Sequence, residues 1–487
     1  MKSLIHKTLF FAAMTMMLSS CGNDWLDLLP STSIETGEAV KNIGDARSSV
    51  NGIYLQFRSV ASYGGKMSWH ADVAGDDMRT WGNSSTRSGK TYRYDYHPQD
   101  APSDLWSQPY TIIRYANNLL SLIDHIEILP AQEAERDYIK GEALMARALA
   151  HFDICRIYGY PYLKDGGASL GAFIIKSPVA ADVKPTRNTV AECYNDLIIP
   201  DLLAAIPMLS ENRTASRARF NKWAAKLLLS RVYLYKGDYT NALREAEECI
   251  AGAEAAGFAL YTNTNYLQQW QTKYSNESLF EVANITGQTS GVDGAPNWYS
   301  ANSSNAYHEM GLTKPFYDML NADPDDVRLK VLRMGVNYPN AFPAFILKYT
   351  SGGNIAQEAN VIVFRLSEAY LNAAEAAAQL GNQNDKALKY LNAIVSRANP
   401  ANSVTGTVSP EMALNERRKE LFGEGHRAFD LLRNGMTIYR TEDEYNGMFL
   451  SDHARVIDWN NFRCILPIPI AEMETNPNML QNPWGGN

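Results

Sequence analysis

The chain has 487 residues and a mass of 54.3 kDa, which is enough to bury a large core and would permit several domains. Hydrophobic residues make up 45% and charged residues 20% of it, a composition that excludes a disordered or fibrous protein. The net charge of −8 and a pI near 5.6 argue against a nucleic-acid-binding protein, because neutralising phosphates requires a basic surface.

The first residues have the features of an export signal. Lys2 and Lys7 precede an apolar run at 9–17 that is too short to span a bilayer, so we predict a lipoprotein signal peptide at 1–20. The sequence Leu-Ser-Ser-Cys that ends at Cys21 forms a lipobox. Cleavage before Cys21 would leave its thiol to carry lipid, and buried acyl chains would hold the mature protein at a membrane.

A helix and a long loop follow. Residues 38–57 predict a helix, because Ile43, Ala46, Val50 and Phe57 recur at helical spacing. Residues 61–103 lose that periodicity and are rich in Gly, Ser, Asp, Trp and Tyr. A long loop in a helical protein is often functional, and its aromatic content argues against disorder.

The next clear helix covers 139–158 and carries apolar residues on more than one face, which predicts a helix packed inside an array of helices. Gly159 suggests a left-handed C-terminal cap, and Pro161 prevents any continuation. Arg147 and Asp153 lie too far apart to pair with each other, so we expect each to find a partner elsewhere.

Two helix pairs resemble tetratricopeptide hairpins, one at 220–255 around Gly237 and one at 364–395 around Gly381. They lie far apart in sequence, which argues against a tandem solenoid. The insertions at 262–345 and 439–469 are rich in Asn, Gly, Pro and aromatic residues. Residues 278–282 predict a short strand, but no run of strands indicates a large sheet.

Several groups of reactive residues suggest structure rather than chemistry. Cys155, Cys193, Cys249 and Cys464 show no metal-ligand spacing, and a disulfide among them is possible but not implied. The adjacent carboxylates Asp76 and Asp77 point in different directions, which suits hydrogen bonding better than glycoside hydrolysis. The Glu424–Asp430 region, with its arginines, indicates a structural ion network. No known catalytic motif occurs, so we predict a protein that is not an enzyme and that has no cofactor or metal.

Short sequences spread along the chain form a pattern. In chain order they are GEA at 141–143, RA at 147–148, FD at 152–153, YGYPY at 158–162, DVRL at 326–329, RLSEAYL at 365–371, ERRKEL at 416–421, EGHR at 424–427 and LPIP at 466–469. Together they resemble the SusD/RagB family of Bacteroidetes lipoproteins. The resemblance implies a mostly α-helical fold of tetratricopeptide-like helix pairs with long irregular insertions. It implies one SusD-like unit over 21–487, with an N-terminal part at about 21–260 and a C-terminal part at about 261–487.

The same resemblance implies a function and a location. Members of the family are surface-exposed, lipid-anchored outer-membrane proteins that bind nutrients and partner a TonB-dependent (SusC-like) transporter. We therefore expect this chain to face the cell exterior, to capture a glycan oligomer or polymer and to deliver it to such a transporter. Peptide or another nutrient as cargo, a surface glycoside hydrolase and a peptide-binding repeat scaffold remain as alternatives.

Sugar rings stack on Trp and Tyr, while polar side chains bond the hydroxyls. The 61–103 region, called here the aromatic loop, and the first insertion (262–345) supply both kinds of residue, including Trp69 and Tyr307. The family resemblance points to the same two regions. The expected stacking residues are Trp81, Trp298 and Tyr299. The expected hydrogen-bonding residues are Asp77, Arg79 and Asn83.

Overall fold

A computed structural model describes residues 40–80, 87–180, 182–212, 217–300, 306–307, 309–334, 344–440 and 450–484. The predicted signal peptide and the lipidation site Cys21 lie outside these residues. Within them, long helices carry the fold and the strands are short, so the prediction of a mostly α-helical protein is confirmed.

The helices divide at the 262–345 insertion. Before it they are α1 (Ile43–Arg58), α2 (Lys66–Val73), α3 (Gly89–Arg93), α4 (Ser103–Leu122), α5 (Glu133–Tyr158), α6 (Tyr162–Asp165), α7 (Val190–Glu192), α8 (Ile199–Ala205), α9 (Lys222–Lys236) and α10 (Tyr239–Ala255). From it onward they are α11 (Tyr266–Trp270), α12 (Ala295–Tyr299), α13 (Lys314–Asn321), α14 (Leu366–Leu380), α15 (Asn384–Ala398), α16 (Pro410–Leu421), α17 (Arg427–Arg433) and α18 (Ile470–Thr475).

The strands form two-stranded antiparallel ladders in the described parts of the chain. They are β1 (Met78–Thr80) with β3 (Met310–Leu312), β2 (Ser278–Val282) with β6 (Val361–Arg365), β4 (Leu332–Met334) with β5 (Ala344–Ile346), and β7 (Ile438–Tyr439) with β8 (Val456–Ile457). The predicted strand at 278–282 is confirmed as β2.

The two predicted hairpins are present, and they pack against each other. Asn221 begins α9 by accepting hydrogen bonds from the N–H groups of Trp223 and Ala224 at 3.0 and 2.9 Å. Gly237 (φ +78°) and Gly381 (φ +72°) end α9 and α14 in the left-handed conformation. Helix α10 packs against both α9 and α14, and α14 packs against α15 and α16. Hairpins separated by a long insertion are therefore neighbours in space.

Helix α5 ends differently from the prediction. Gly159 is the C-terminal residue as expected, but its backbone is extended (φ −110°, ψ 149°), so the predicted left-handed cap is wrong. A Cβ at this position would lie 2.7 Å from Val190 Cγ2 and 2.8 Å from the carbonyl oxygen of Cys155. Close packing, rather than a positive φ, requires glycine here.

Arg147 and Asp153 of α5 do not pair with each other, as their spacing predicted, and each has other charged or polar partners. Arg147 forms a bidentate pair with Asp201 of α8, with Nε–Oδ2 and Nη2–Oδ1 distances of 2.7 and 2.8 Å. Asp153 pairs with Arg156 at 2.8 Å and accepts a hydrogen bond from the Tyr63 hydroxyl at 3.0 Å. The Asp153–Arg156 pair lies within α5, so the Arg147–Asp201 pair and the Tyr63 hydrogen bond are the contacts that fix α5 against its neighbours.

A buried ion network organises the C-terminal part, as the sequence predicted for the Glu424 region. Arg365, at the end of β6, contacts Glu277, Glu420 and Glu424 at 2.9, 2.8 and 2.6 Å. Lys348 reaches the other oxygen of Glu424 at 2.6 Å. These contacts connect β6, α16 and the residues before β2.

The buried apolar side chains form one cluster that includes both Val40 and Trp484. The division near residue 260 stays a prediction. The four cysteines after residue 40 are free, and Cys155, Cys193 and Cys249 are buried. Among the described helices, none has the length and apolar character needed to cross a membrane.

Candidate ligand-binding surface

Strand pairing brings the aromatic loop and the first insertion together. In the β1–β3 ladder Met78 lies opposite Leu312 and Thr80 opposite Met310. The N–H of Thr313 donates to the carbonyl of Asp77 at 2.8 Å and continues the contact beyond the ladder. Two regions far apart in sequence, both singled out for their aromatic and polar residues, therefore lie side by side.

Three aromatic rings meet next to this ladder. Trp69 of α2 stacks on Trp298 of α12 with 4.9 Å between ring centroids and 19° between planes. Tyr307 packs edge-on against Trp298 at 6.0 Å and 86°. Both indoles are nearly buried, and the Trp298 Nε1–H donates to the Asp293 carbonyl at 3.0 Å, which fixes the ring.

Polar side chains surround the accessible edge of this cluster. The Arg87 guanidinium lies 4.0 Å from the centre of the Tyr307 ring, and its Nε is 3.6 Å from Asp293 Oδ1. The Tyr307 hydroxyl donates to the same oxygen at 3.1 Å. The side chains of Arg87 and Asp293 are 54% and 52% exposed, so both can bond a ligand from solvent. We call Trp69, Arg87, Asp293, Trp298 and Tyr307 the aromatic surface.

Buried hydrogen bonds hold the two sides of the surface in register. Glu309, just before β3, accepts hydrogen bonds from the Ser88 N–H and hydroxyl at 2.8 and 2.7 Å. The Ser88 hydroxyl also lies 2.6 Å from that of Thr80 in β1. Residues next to Arg87 and Tyr307 are thereby tied together, which limits how far these two side chains can separate.

Tyr299 lies in the interior, beneath Trp298. Its ring stacks on Tyr349 with 5.0 Å between centroids and 4° between planes. Its hydroxyl donates to Asp72 Oδ2 at 3.0 Å, and the Gly425 N–H donates to the same oxygen at 2.7 Å. A direct ligand contact by Tyr299 stays a prediction, and it would require this buried ring to be uncovered.

Asp77 and Arg79 are also buried, each 1% exposed. Asp77 pairs with Arg418 at 2.5 Å and Arg427 at 3.2 Å, and Arg427 also holds Asp76 at 2.6 Å. Burial raises the pKa of Asp77, whereas Arg427 and Arg418 outweigh burial at Asp76 and lower its pKa. Both carboxylates reach the same Arg427 Nε, so the expectation that they point in different directions is wrong. Contact of Asp77 or Arg79 with ligand stays a prediction.

The remaining expected residues, Trp81 and Asn83, lie outside the described residues, next in sequence to β1. Trp298 is the expected stacking residue that belongs to the aromatic surface, but it is only 4% exposed, and its direct contact with ligand stays a prediction. Arg87 and Asp293 were not singled out from the sequence, because nothing in their spacing shows that they approach the same tyrosine ring. Groups of three or more residues able to hold a metal ion do not occur among the described His, Cys, Asp and Glu side chains.

Comparison with known proteins identifies the family. The model of the SusD family matches residues 262–484, and a model described as "Starch-binding associating with outer membrane" matches residues 24–234. The solved structure of a proposed sugar-binding protein from Bacteroides vulgatus ATCC 8482 is 44% identical, with a TM-score of 0.86, over 91% of this chain and 99% of that one.

A SusD superfamily protein from the same organism is 36% identical, with a TM-score of 0.84, over 91% of this chain and 99% of that one. The starch-binding protein SusD of Bacteroides thetaiotaomicron is 32% identical over 126 residues, which are 26% of this chain and 21% of that protein. The chain belongs to the SusD family, and the predicted family and its mostly helical fold are confirmed.

Proposed function

We propose that this protein is a cell-surface lipoprotein that binds oligosaccharide or polysaccharide at the aromatic surface and delivers it to a TonB-dependent outer-membrane transporter. The observation that carries the proposal is the group of three rings with an exposed ionic edge where the 61–103 region meets the first insertion. The 44% identical protein described as sugar-binding and the starch-binding SusD support a glycan as the cargo.

The geometry suits weak, reversible binding of sugars. Pyranose rings present flat C–H faces that pack on aromatic rings, and their hydroxyls bond charged or amide groups nearby. Tyr307 is the partly exposed ring, with the Arg87 guanidinium over one face, and buried Trp69 and Trp298 support it. Arg87 and Asp293 supply a donor and an acceptor. Aromatic contacts contribute about 1 kcal/mol each, so a few of them with hydrogen bonds give micromolar to millimolar affinity. A protein that must release its cargo requires such affinity.

The proposal includes no catalytic step. Glycoside hydrolysis requires two carboxyl groups facing each other across the scissile bond. The adjacent pair Asp76 and Asp77 is instead engaged by Arg418 and Arg427. Binding alone accounts for the arrangement of the aromatic surface.

The proposals of membrane anchoring and of delivery to a transporter rest on the sequence and on the family resemblance. Lipid on Cys21 would tether the protein to the outer membrane, and the family model that matches residues 24–234 is described as associating with that membrane. The outward orientation and the SusC-like transporter follow from the resemblance of the chain to SusD/RagB proteins.

The first test is retardation of the mature protein, expressed from residue 22, in native gels that contain plant, host or fungal polysaccharides. We expect at least one polysaccharide to slow the protein. Arg87→Gln, which removes an exposed charge without disturbing the core, should reduce that retardation. If no glycan slows the protein while a peptide mixture binds to it, the cargo is peptide and the glycan proposal is wrong.

A further inference from the structure

A cavity separate from the aromatic surface opens on another part of the molecule. It has a volume of about 790 Å³ and lies between α4, residues 173–180 with 183–185, and α18. This volume falls within the range of about 300–1,000 Å³ that is usual for small-ligand sites. Its lining includes none of the residues of the aromatic surface.

One wall of the cavity is aromatic and rigid. Tyr110 stacks on Phe173 with 4.5 Å between centroids and 23° between planes, and Trp106 packs edge-on against both rings at 5.2 and 5.5 Å. The Tyr110 hydroxyl accepts a hydrogen bond from the Phe173 N–H at 3.0 Å. The Trp106 Nε1–H donates to Glu472 Oε2 at 3.2 Å. These bonds fix the wall before any ligand arrives.

Polar groups converge on the same space with an excess of positive charge. Arg114 lies one helical turn after Tyr110, and Lys184 belongs to the facing segment. Both residues are exposed, and neither side chain forms an ion pair within the described part of the chain, although the Arg114 guanidinium lies 5.5 Å from the centre of the Tyr115 ring. Asn118, on the same face of α4, adds an amide. Glu472 is the one carboxylate among the described lining residues, and it already accepts the indole hydrogen bond.

We propose that this cavity is a second saccharide-binding site, selective for sugar units that carry a carboxylate or a sulfate. The wall of Trp106, Tyr110 and Phe173 would support a sugar ring, and Arg114 and Lys184 would bind its anionic group. The described lining carries two cations and one engaged carboxylate, an excess of one positive charge in a protein whose net charge is −8. Uronic acids and sulfated sugars share the anionic chemistry, and the experiment below separates them.

The test is titration calorimetry on the mature protein, residues 22–487, with three trisaccharides: trigalacturonate, a sulfated galactotriose and neutral galactotriose. We expect at least one anionic sugar to bind tenfold or more tightly than the neutral one, with an affinity that falls as salt increases. Arg114→Gln and Lys184→Gln should each weaken that binding fivefold or more. Lys330→Gln, which removes one exposed positive charge elsewhere, is the matched control and should leave it unchanged.

Three results would each overturn the proposal. They are equal affinity for neutral and anionic trisaccharides, no binding of either anionic sugar, and equal losses in Arg114→Gln and Lys330→Gln. Both substitutions change exposed side chains, so unchanged thermal unfolding would show that the fold is intact. Retardation of Arg114→Gln by neutral polysaccharide in gels should match that of the unmodified protein. The second site and the proposed function can therefore fail independently.

Discussion

Asp72 lies under the aromatic surface and should make stability depend on pH. Its side chain is 1% exposed, and burial raises its pKa to about 7. The hydrogen bonds from the Gly425 N–H and the Tyr299 hydroxyl oppose this shift, and the nearby Glu424 charge adds to it. At neutral pH, therefore, the carboxyl that supports Tyr299 is half protonated.

The sign and size of the effect follow from linkage. The folded state keeps the proton up to about pH 7, whereas an unfolded chain releases it near the usual carboxyl pKa of about 3.9. The stabilising contribution of the protonated carboxyl is complete below about pH 4 and is lost as pH rises to 7. A shift of about 3 units corresponds to roughly 4 kcal/mol, of which roughly 2–3 kcal/mol is lost between pH 5 and pH 8.

The assay is urea unfolding at pH 5 and pH 8 for the unmodified protein, Asp72→Asn and the exposed control Asp385→Asn. Asparagine can accept the same two hydrogen bonds but does not titrate. We expect Asp72→Asn to lose roughly 2–3 kcal/mol less stability than the unmodified protein between the two pH values. Asp385→Asn should show the unmodified pH dependence. Identical pH dependence in all three proteins would refute the assignment.

Two further substitutions test the packing. Glu420→Gln should destabilise the fold by about 3–5 kcal/mol in urea unfolding, because it weakens the buried ion pairs with Arg365 and Arg397. The control is Glu411→Gln in the same helix, which changes an exposed side chain and should alter stability little. Gly252→Ala should lower the free energy of unfolding by about 1–3 kcal/mol, because its Cβ would lie 2.1 Å from the Trp223 ring. The control Gly52→Ala, whose Cβ would meet only a tyrosine ring at 3.3 Å, should be neutral or stabilising. Calorimetric unfolding measures both. If a variant and its control changed stability equally, the contact assigned to that variant would be contradicted.

Much of the secondary structure could be predicted from the sequence, because apolar spacing and glycine positions act within a single helix or turn. Apolar spacing located α1 and α5, and Gly237 and Gly381 marked the ends of α9 and α14 in the predicted hairpins. The packing of α10 on α14 is a contact between distant segments, and no local pattern encodes it. Gly159 shows the same limit, since its close neighbour Val190 comes from another part of the chain.

The candidate site was predictable by region rather than by residue. Composition singled out the two aromatic segments, and the β1–β3 ladder joins them. Which ring each residue contacts depends on that pairing: buried Trp298 stacks on Trp69 under Tyr307, whereas its neighbour Tyr299 points towards Asp72. Arg87 and Asp293 belong to the site through contacts with Tyr307, Trp298 and each other, which their positions in the sequence do not show.

The most direct test of the central claim is the affinity of Tyr307→Ala for the glycan that retards the unmodified protein, measured by titration calorimetry. Tyr115→Ala, which removes a 37% exposed tyrosine of α4, is the matched control. Loss of the accessible ring should weaken binding about five- to tenfold, the equivalent of about 1 kcal/mol, while the control binds as the unmodified protein does. Equal affinity of Tyr307→Ala and the unmodified protein would contradict glycan binding at the aromatic surface.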